Sequence, residues 1–212
     1  MLLLGLLFAA GLHAQGPSAA ATSGTGAVDE RIRELERDPR LKEQALRTGR
    51  KVAEFCAACH GDGGNSVKPD VPNLAGQNST YLLDQVRQFA DGRRKNMFME
   101  GLTKALREDE KVGLAVFYAS QEVTHRAPKD AALAARGKAY YDRVCFACHG
   151  EHGRGSEKYA RIAGQQAEYL TITLKRYRDG SAVRANPVMA GTTRQLSDPD
   201  LDALVAYIAS MR

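Results

Sequence analysis

Cys56-Ala57-Ala58-Cys59-His60 and Cys145-Phe146-Ala147-Cys148-His149 repeat one pentapeptide pattern and together use all 4 cysteines of the chain. Two thiols at this spacing followed directly by histidine form a c-type haem attachment site. Each thiol can add to one vinyl group of a single porphyrin, and the next imidazole is then held beside the iron. Other thiol chemistries fit the pattern poorly. A disulfide inside each Cys-x-x-Cys needs no imidazole behind it. Paired zinc knuckles are usually about 15–20 residues apart, whereas these pairs lie 89 apart. The chain is therefore expected to carry two covalently bound haem c groups, one on Cys56 and Cys59 and one on Cys145 and Cys148. His60 and His149 are the expected axial ligands.

A second donor must reach each iron from the opposite face, far enough along the chain to wrap the porphyrin. Met99 lies 39 residues after His60, and Met189 lies 40 after His149, both in Met-x-Gly. A thioether is a weak neutral donor that favours ferrous iron and raises the potential relative to a second histidine. Met97 competes with Met99, and the repeat alignment favours Met99. His125 reads as part of a solvated junction. His152 has Gly63 at its offset in the first copy, which argues against a general ligand role. Irons held by His and Met on both faces leave no position for substrate, which points to an electron carrier with no catalytic residues.

Around these ligands the sequence offers supporting groups. A backbone carbonyl usually accepts a hydrogen bond from the other nitrogen of a ligating imidazole. Pro72, twelve residues after His60, is placed for this, and Ala160 stands there in the second copy. Gln77 and Gln165 can bond either a propionate or a neighbouring loop. Arg93, Arg94 and Arg184 are candidates for pairing with propionates.

The elements that position these residues repeat as well. Leu74-Ala-Gly-Gln77 returns as Ile162-Ala-Gly-Gln165 at an offset of 88, and so do Tyr81-Leu82 and Asp91-Gly92. Met99-x-Gly101, Leu106 and the run ending at Ser120 return at 90. So small a drift means a tandem duplication. Each unit is small for an apolar core alone, and a tethered haem supplies the missing hydrophobic mass. The patterning is helical throughout, predicting an all-α fold. Helices are expected over 42–56 and 130–145, before the two haem motifs, with Asp130 as an N-cap. Apolar residues at helical spacing predict further helices over 79–90 and 168–179, each stopped by a glycine. Ser197-Asp-Pro-Asp200 begins the last one, with Leu201, Leu204, Val205 and Ile208 as its apolar stripe.

Residues 1–14 contain no charged side chain and read as a secretory signal peptide, too short for the roughly 20 apolar residues of a spanning helix. They lack the basic residue that opens such signals. Residues 15–41 read as a leader: a flexible Ala/Gly/Ser/Thr-rich stretch, then a charged, solvated helix that Pro39 ends. Two haem-bearing units are expected to follow over 42–124 and 125–212. The net charge is +5. Residues 42–124 are nearly balanced, with 12 basic and 11 acidic side chains, whereas 125–212 carry 14 and 9. A basic face can steer an acidic redox partner, or it can balance haem propionates. No basic, aromatic-interleaved run suggests nucleic acid.

Cys-x-x-Cys-His-Gly, Pro-x-Leu-Ala-Gly-Gln (Ala-x-Ile-Ala-Gly-Gln in the second copy), Tyr-Leu, Asp-Gly and Met-x-Gly, in that order and twice over, resemble the dihaem cytochrome c4 family across residues 42–212. The resemblance implies two class I cytochrome c domains related by a pseudo-twofold axis, with His/Met iron pairs. It implies a periplasmic carrier of single electrons between respiratory partners, such as a membrane cytochrome complex and a terminal oxidase. Peripheral membrane association is compatible with this. Ala160 and the charged segment depart from the family pattern. Two other readings stand beside it: the dihaem subunit of a flavocytochrome c sulfide dehydrogenase, with a flavoprotein partner, and a dihaem peroxidase.

Overall fold

The computed structural model describes residues 25–181, 183 and 186–212. The expected signal peptide, most of the flexible leader and Arg184 lie outside the described residues.

Among the described residues the chain is built of helices, with no extended strand: α1 Thr25–Arg37, α2 Pro39–His60, α3 Ser79–Ala90, α4 Met97–Ala105 and α5 Glu108–Ala119 in the first unit. The second holds α6 Ala131–Val144, α7 Phe146–His149, α8 Ala167–Arg178, α9 Pro187–Thr193 and α10 Asp198–Ser210. Side-chain caps set several of their starts, satisfying backbone donors the first turn leaves free. Asp130 accepts from Leu133 N at 2.8 Å, and Ser197 from Asp200 N at 3.2 Å. Pro199 occupies the first turn of α10, where its missing N–H costs nothing. α3 spans the predicted residues, and α8 follows the predicted pattern within one residue at each end.

In each unit the helix entering the haem motif packs against the final helix. α2 meets α5 where Gly49 faces Gly113, and α6 meets α10 where Gly137 faces Ala203. A Cβ on Gly49 would stand 2.0 Å from Gly113 O, and one on Gly137 would stand 1.9 Å from Ala203 O. Only glycine permits so close a crossing. Leu83, Val112, Ala115 and Tyr118 fill the first core, and Tyr141, Leu201, Leu204 and Ile208 the second.

The charged segment differs from its sequence reading. Ile32 is 3% exposed and joins the first core, with Leu35 packed beside it, so α1 lies on α2 and α3 instead of standing free in solvent. Proline is also placed differently. α1 ends at Arg37, Asp38 caps the next helix, and Pro39 opens α2 at its first position. The fixed φ of proline suits a first helical turn as well as it ends a preceding helix.

The two units meet through matched loops. Asn73 N donates to Gln165 Oε1 at 2.7 Å, and Gln165 Nε2 donates to Asn73 O at 3.0 Å. At the equivalent positions Arg161 N donates to Gln77 Oε1 at 2.7 Å, and Gln77 Nε2 to Arg161 O at 2.9 Å. The same contact made in both directions is what a twofold axis imposes on an interface. The duplicated units obey it without being identical. Gln77 and Gln165 thus each bond a neighbouring loop, one of the two partners their positions allowed. The junction is also tied down: His125 Nδ1 lies 3.1 Å from Met211 O, and Arg126 donates to Gln166 Oε1 at 2.7 Å.

Candidate functional site

The local structure of each haem motif follows from the helix that carries it. α2 runs without a break through Cys56 and Cys59 to His60, so both thiols and the imidazole project from its last turns. In the second unit the helix is interrupted at Cys145, and the one-turn α7 carries Cys148 and His149. Gly61 and Gly150 follow the histidines, both at φ +77°, a backbone conformation that favours glycine. A Cβ at Gly61 would collide with Asn65 O at 2.1 Å.

Both histidines are oriented by a backbone carbonyl. His60 Nδ1 lies 2.9 Å from Pro72 O, and His149 Nδ1 lies 2.9 Å from Ala160 O. Since a carbonyl only accepts, Nδ1 donates in both cases, and in the neutral ring the lone pair is then on Nε2, the tautomer a metal ligand requires. The exchange of proline for alanine thus keeps the bond. Burial pushes the His60 imidazole below its ordinary pKa, opposed by the Pro72 carbonyl and aided by nearby Arg94, which favours the neutral ring.

Neither Cys56 nor Cys145 is tuned as a nucleophile. Burial pushes the Cys56 thiol up, and burial with Cys148 nearby pushes the Cys145 thiol up to about 11. Dithiol and nucleophilic cysteines are instead activated by lowered pKa values. These cysteines are suited to being anchors.

A cavity of about 320 Å³ brings the second set together: Cys145, Cys148, His149 and Met189 all line it. Its walls are largely apolar, with Leu170, Leu174, Leu204 and Ile208, a size and character typical of cofactor sites. Arg94 and Arg161 also line it. Arg161 Nε is buried with no hydrogen-bond partner among the described residues, and a propionate carboxylate is the kind of group that would satisfy it. Thiols at attachment spacing, an imidazole, a thioether, apolar walls and an orphaned cationic donor fit haem c.

Of the arginines singled out from sequence, Arg94 reaches this cavity, bonded to Gln85 Oε1 at 2.8 Å and Tyr169 OH at 3.1 Å. Arg93 is instead paired with Asp91, Nε to Oδ2 at 2.8 Å. His152 is exposed. The two methionines competing in the first unit are placed differently: Met97 is 91% exposed, whereas Met99 is half-buried.

Sequence reasoning missed how the methionines are held. Asn96 Oδ1 accepts from Met99 N at 3.0 Å, and Thr103 Oγ1 donates to Met99 O at 2.8 Å. Asn186 and Thr193 treat Met189 the same way, at 3.0 and 2.8 Å. α4 and α9 are thus short helices capped so that each methionine backbone is fixed at both its polar groups. The signal was present as Asn-x-x-Met-x-x-x-Thr in both units.

Comparison with known proteins agrees with this geometry. The family described as Cytochrome c matches residues 46–111 and 134–212. The cytochrome c4 of Thiocapsa roseopersicina is 35% identical over 175 residues, covering 76% of this chain and 89% of that protein. The reduced recombinant cytochrome c4 of Pseudomonas stutzeri superposes with a TM-score of 0.73 at 30% identity, over 79% of this chain and 98% of that one. A thiosulfate dehydrogenase electron acceptor from Thiomonas intermedia is 33% identical, over 74% of this chain and 79% of that protein.

Proposed function

The chain belongs to the cytochrome c family, in its dihaem c4 branch, and from that premise we propose that it is a periplasmic shuttle of single electrons between respiratory partners, delivering toward a terminal oxidase. It is an electron carrier with two covalently bound haem c groups, and its partners are redox proteins. Haem, when bound, supplies the ferric/ferrous couple.

The residues of the chain do the rest. Cys56 and Cys59, and Cys145 and Cys148, anchor the two groups. His60 and His149 would present Nε2 to the irons, their rings aimed by the carbonyls of Pro72 and Ala160. Met99 and Met189 would supply the second donor to each iron, their backbones fixed by asparagine and threonine. Met97 is left to solvent. The units run over 42–124 and 125–212, with α1 docked on the first, behind a signal peptide at 1–14. Among the described residues no helix is long and apolar enough to cross a membrane.

The observation that carries this reading is the convergence of two thiols, an imidazole and a thioether on one cavity. The likeness to a thiosulfate dehydrogenase electron acceptor favours a second reading, in which a periplasmic sulfur-oxidising dehydrogenase is the donor. The reduced holoprotein, mixed with oxidase-containing membranes, should be reoxidised in an oxygen-dependent, cyanide-sensitive way. Failure there, with rapid reduction by such a dehydrogenase and its substrate, would favour the second reading. Turnover of hydrogen peroxide would sink both.

A further inference from the structure

Gln77 and Gln165 reach across to the loops that aim the histidines, and they do so on the peptide groups that matter. The carbonyl of Ala160, which accepts from His149 Nδ1 at 2.9 Å, shares its peptide plane with Arg161 N–H. That N–H donates to Gln77 Oε1, in the other unit, at 2.7 Å. Likewise the carbonyl of Pro72, which accepts from His60 Nδ1 at 2.9 Å, shares its plane with Asn73 N–H, which donates to Gln165 Oε1 at 2.7 Å. Each amide also donates back to the following carbonyl, at 2.9 Å on Arg161 O and 3.0 Å on Asn73 O. Each loop is gripped at two points by a side chain whose other neighbours belong to the opposite unit.

We propose that Gln77 is a positioning residue for the haem of the second unit and Gln165 for the haem of the first, each acting through one rigid peptide plane on the other unit's axial histidine. The proposal rests on the ligand assignment above. A peptide bond is planar, so fixing its N–H fixes the direction of its C=O. Hydrogen bonds in series also polarise one another, so an N–H drawn toward glutamine makes the carbonyl a better acceptor. A stronger bond at Nδ1 raises the basicity of the ligand and favours ferric iron. Both glutamines are nearly buried, 7% and 9% exposed, so water does not readily replace them. The restraint has most to do in the second unit, where Ala160 lacks the fixed φ that Pro72 gives the first.

The test uses the full holoprotein with Gln77→Leu and Gln165→Leu, which keep apolar bulk and remove the amide. In the diamagnetic ferrous state, NMR reads exchange of each histidine Nδ1–H, and stepped potentials give the midpoint of each haem through signals of its own unit. For Gln77→Leu, His149 Nδ1–H should exchange at least tenfold faster while His60 stays within twofold. The second haem should shift about threefold toward ferrous, roughly 30 mV at 59 mV per tenfold. Gln165→Leu should give the mirror result. Gln77→Glu, which retains the accepting oxygen, should restore slow exchange. If a leucine variant does not assemble, Gln77→Asn, too short to reach, serves for the same readings. Shifts confined to the mutated unit, equal shifts in both units, or none would overturn the proposal. Wild-type protein without two coordinated histidines would show instead that the ligand assignment had failed.

Discussion

Replacing Gly137 by alanine should loosen the second unit, and the size of the effect can be worked from one contact. The added Cβ would lie 1.9 Å from Ala203 O, 2.4 Å from Ala203 C and 2.9 Å from Leu204 N. All three are backbone atoms of α10, so no side chain can swing aside. Ordinary contact begins near 3.4 Å, so α6 and α10 must part by about 1.5 Å in a close-packed interior. A gap of about 0.5–1 Å already forfeits a quarter to a half of the dispersion attraction across it. Overpacking costs about 1–3 kcal/mol, and a backbone clash belongs at the upper end. Alanine returns about 1 kcal/mol in helix propensity. The net loss is then about 2 kcal/mol. With a guanidinium slope of about 4 kcal/mol per molar, the unfolding midpoint of the second unit should fall by about 0.5 M. Denaturant titration of the ferric holoprotein, read through the sulfur–iron absorption of each haem, measures this. Arg136→Ala, exposed on the same helix, should stay within about 0.5 kcal/mol. An unchanged or higher midpoint for Gly137→Ala would refute the reasoning, because α6 and α10 could not then be crossing at that residue.

Met99→Leu should abolish the sulfur–iron band of the first haem and lower its potential. Met97→Leu should leave both unchanged and move stability by less than about 0.5 kcal/mol, as optical and potentiometric titrations would record. Asn186→Ala removes the cap on Met189 N and should cost about 1 kcal/mol. Imidazole added to the ferric protein should then displace Met189 at lower concentration than in wild type. Ile32→Ala, in a helix that the sequence suggested was solvated, should cost about 2 kcal/mol or more in the thermal unfolding of the first unit. A neutral result would mean that α1 does not pack there in solution.

Much of this molecule was legible because its chemistry is local in sequence. The thiols and histidines sit within five residues of each other, and duplication lets one copy be checked against the other, which is why the repeat favours Met99 over Met97. Helix signals such as Asp130 and Ser197 act over one turn and were equally readable. What escaped was set by contacts distant along the chain or outweighed by local composition. Gln77 and Arg161 are 84 positions apart, and nothing in either neighbourhood says that an amide will span that distance. Ile32 is one apolar residue among charges, too weak a stripe to show that α1 is docked. Asn96 and Asn186 were visible as repeated residues, but their capping role depends on where α4 and α9 begin, and short helices give little periodicity to read.

The most direct test is an optical redox titration of the intact protein, matured in a host that exports it and attaches haem. Two haems per chain are expected, each taking one electron and each showing sulfur–iron absorption when ferric. The untreated ferrous protein is expected to bind no carbon monoxide. A colourless product, a single haem, or carbon monoxide binding at either iron would contradict the closed His/Met coordination on which electron carriage without catalysis depends.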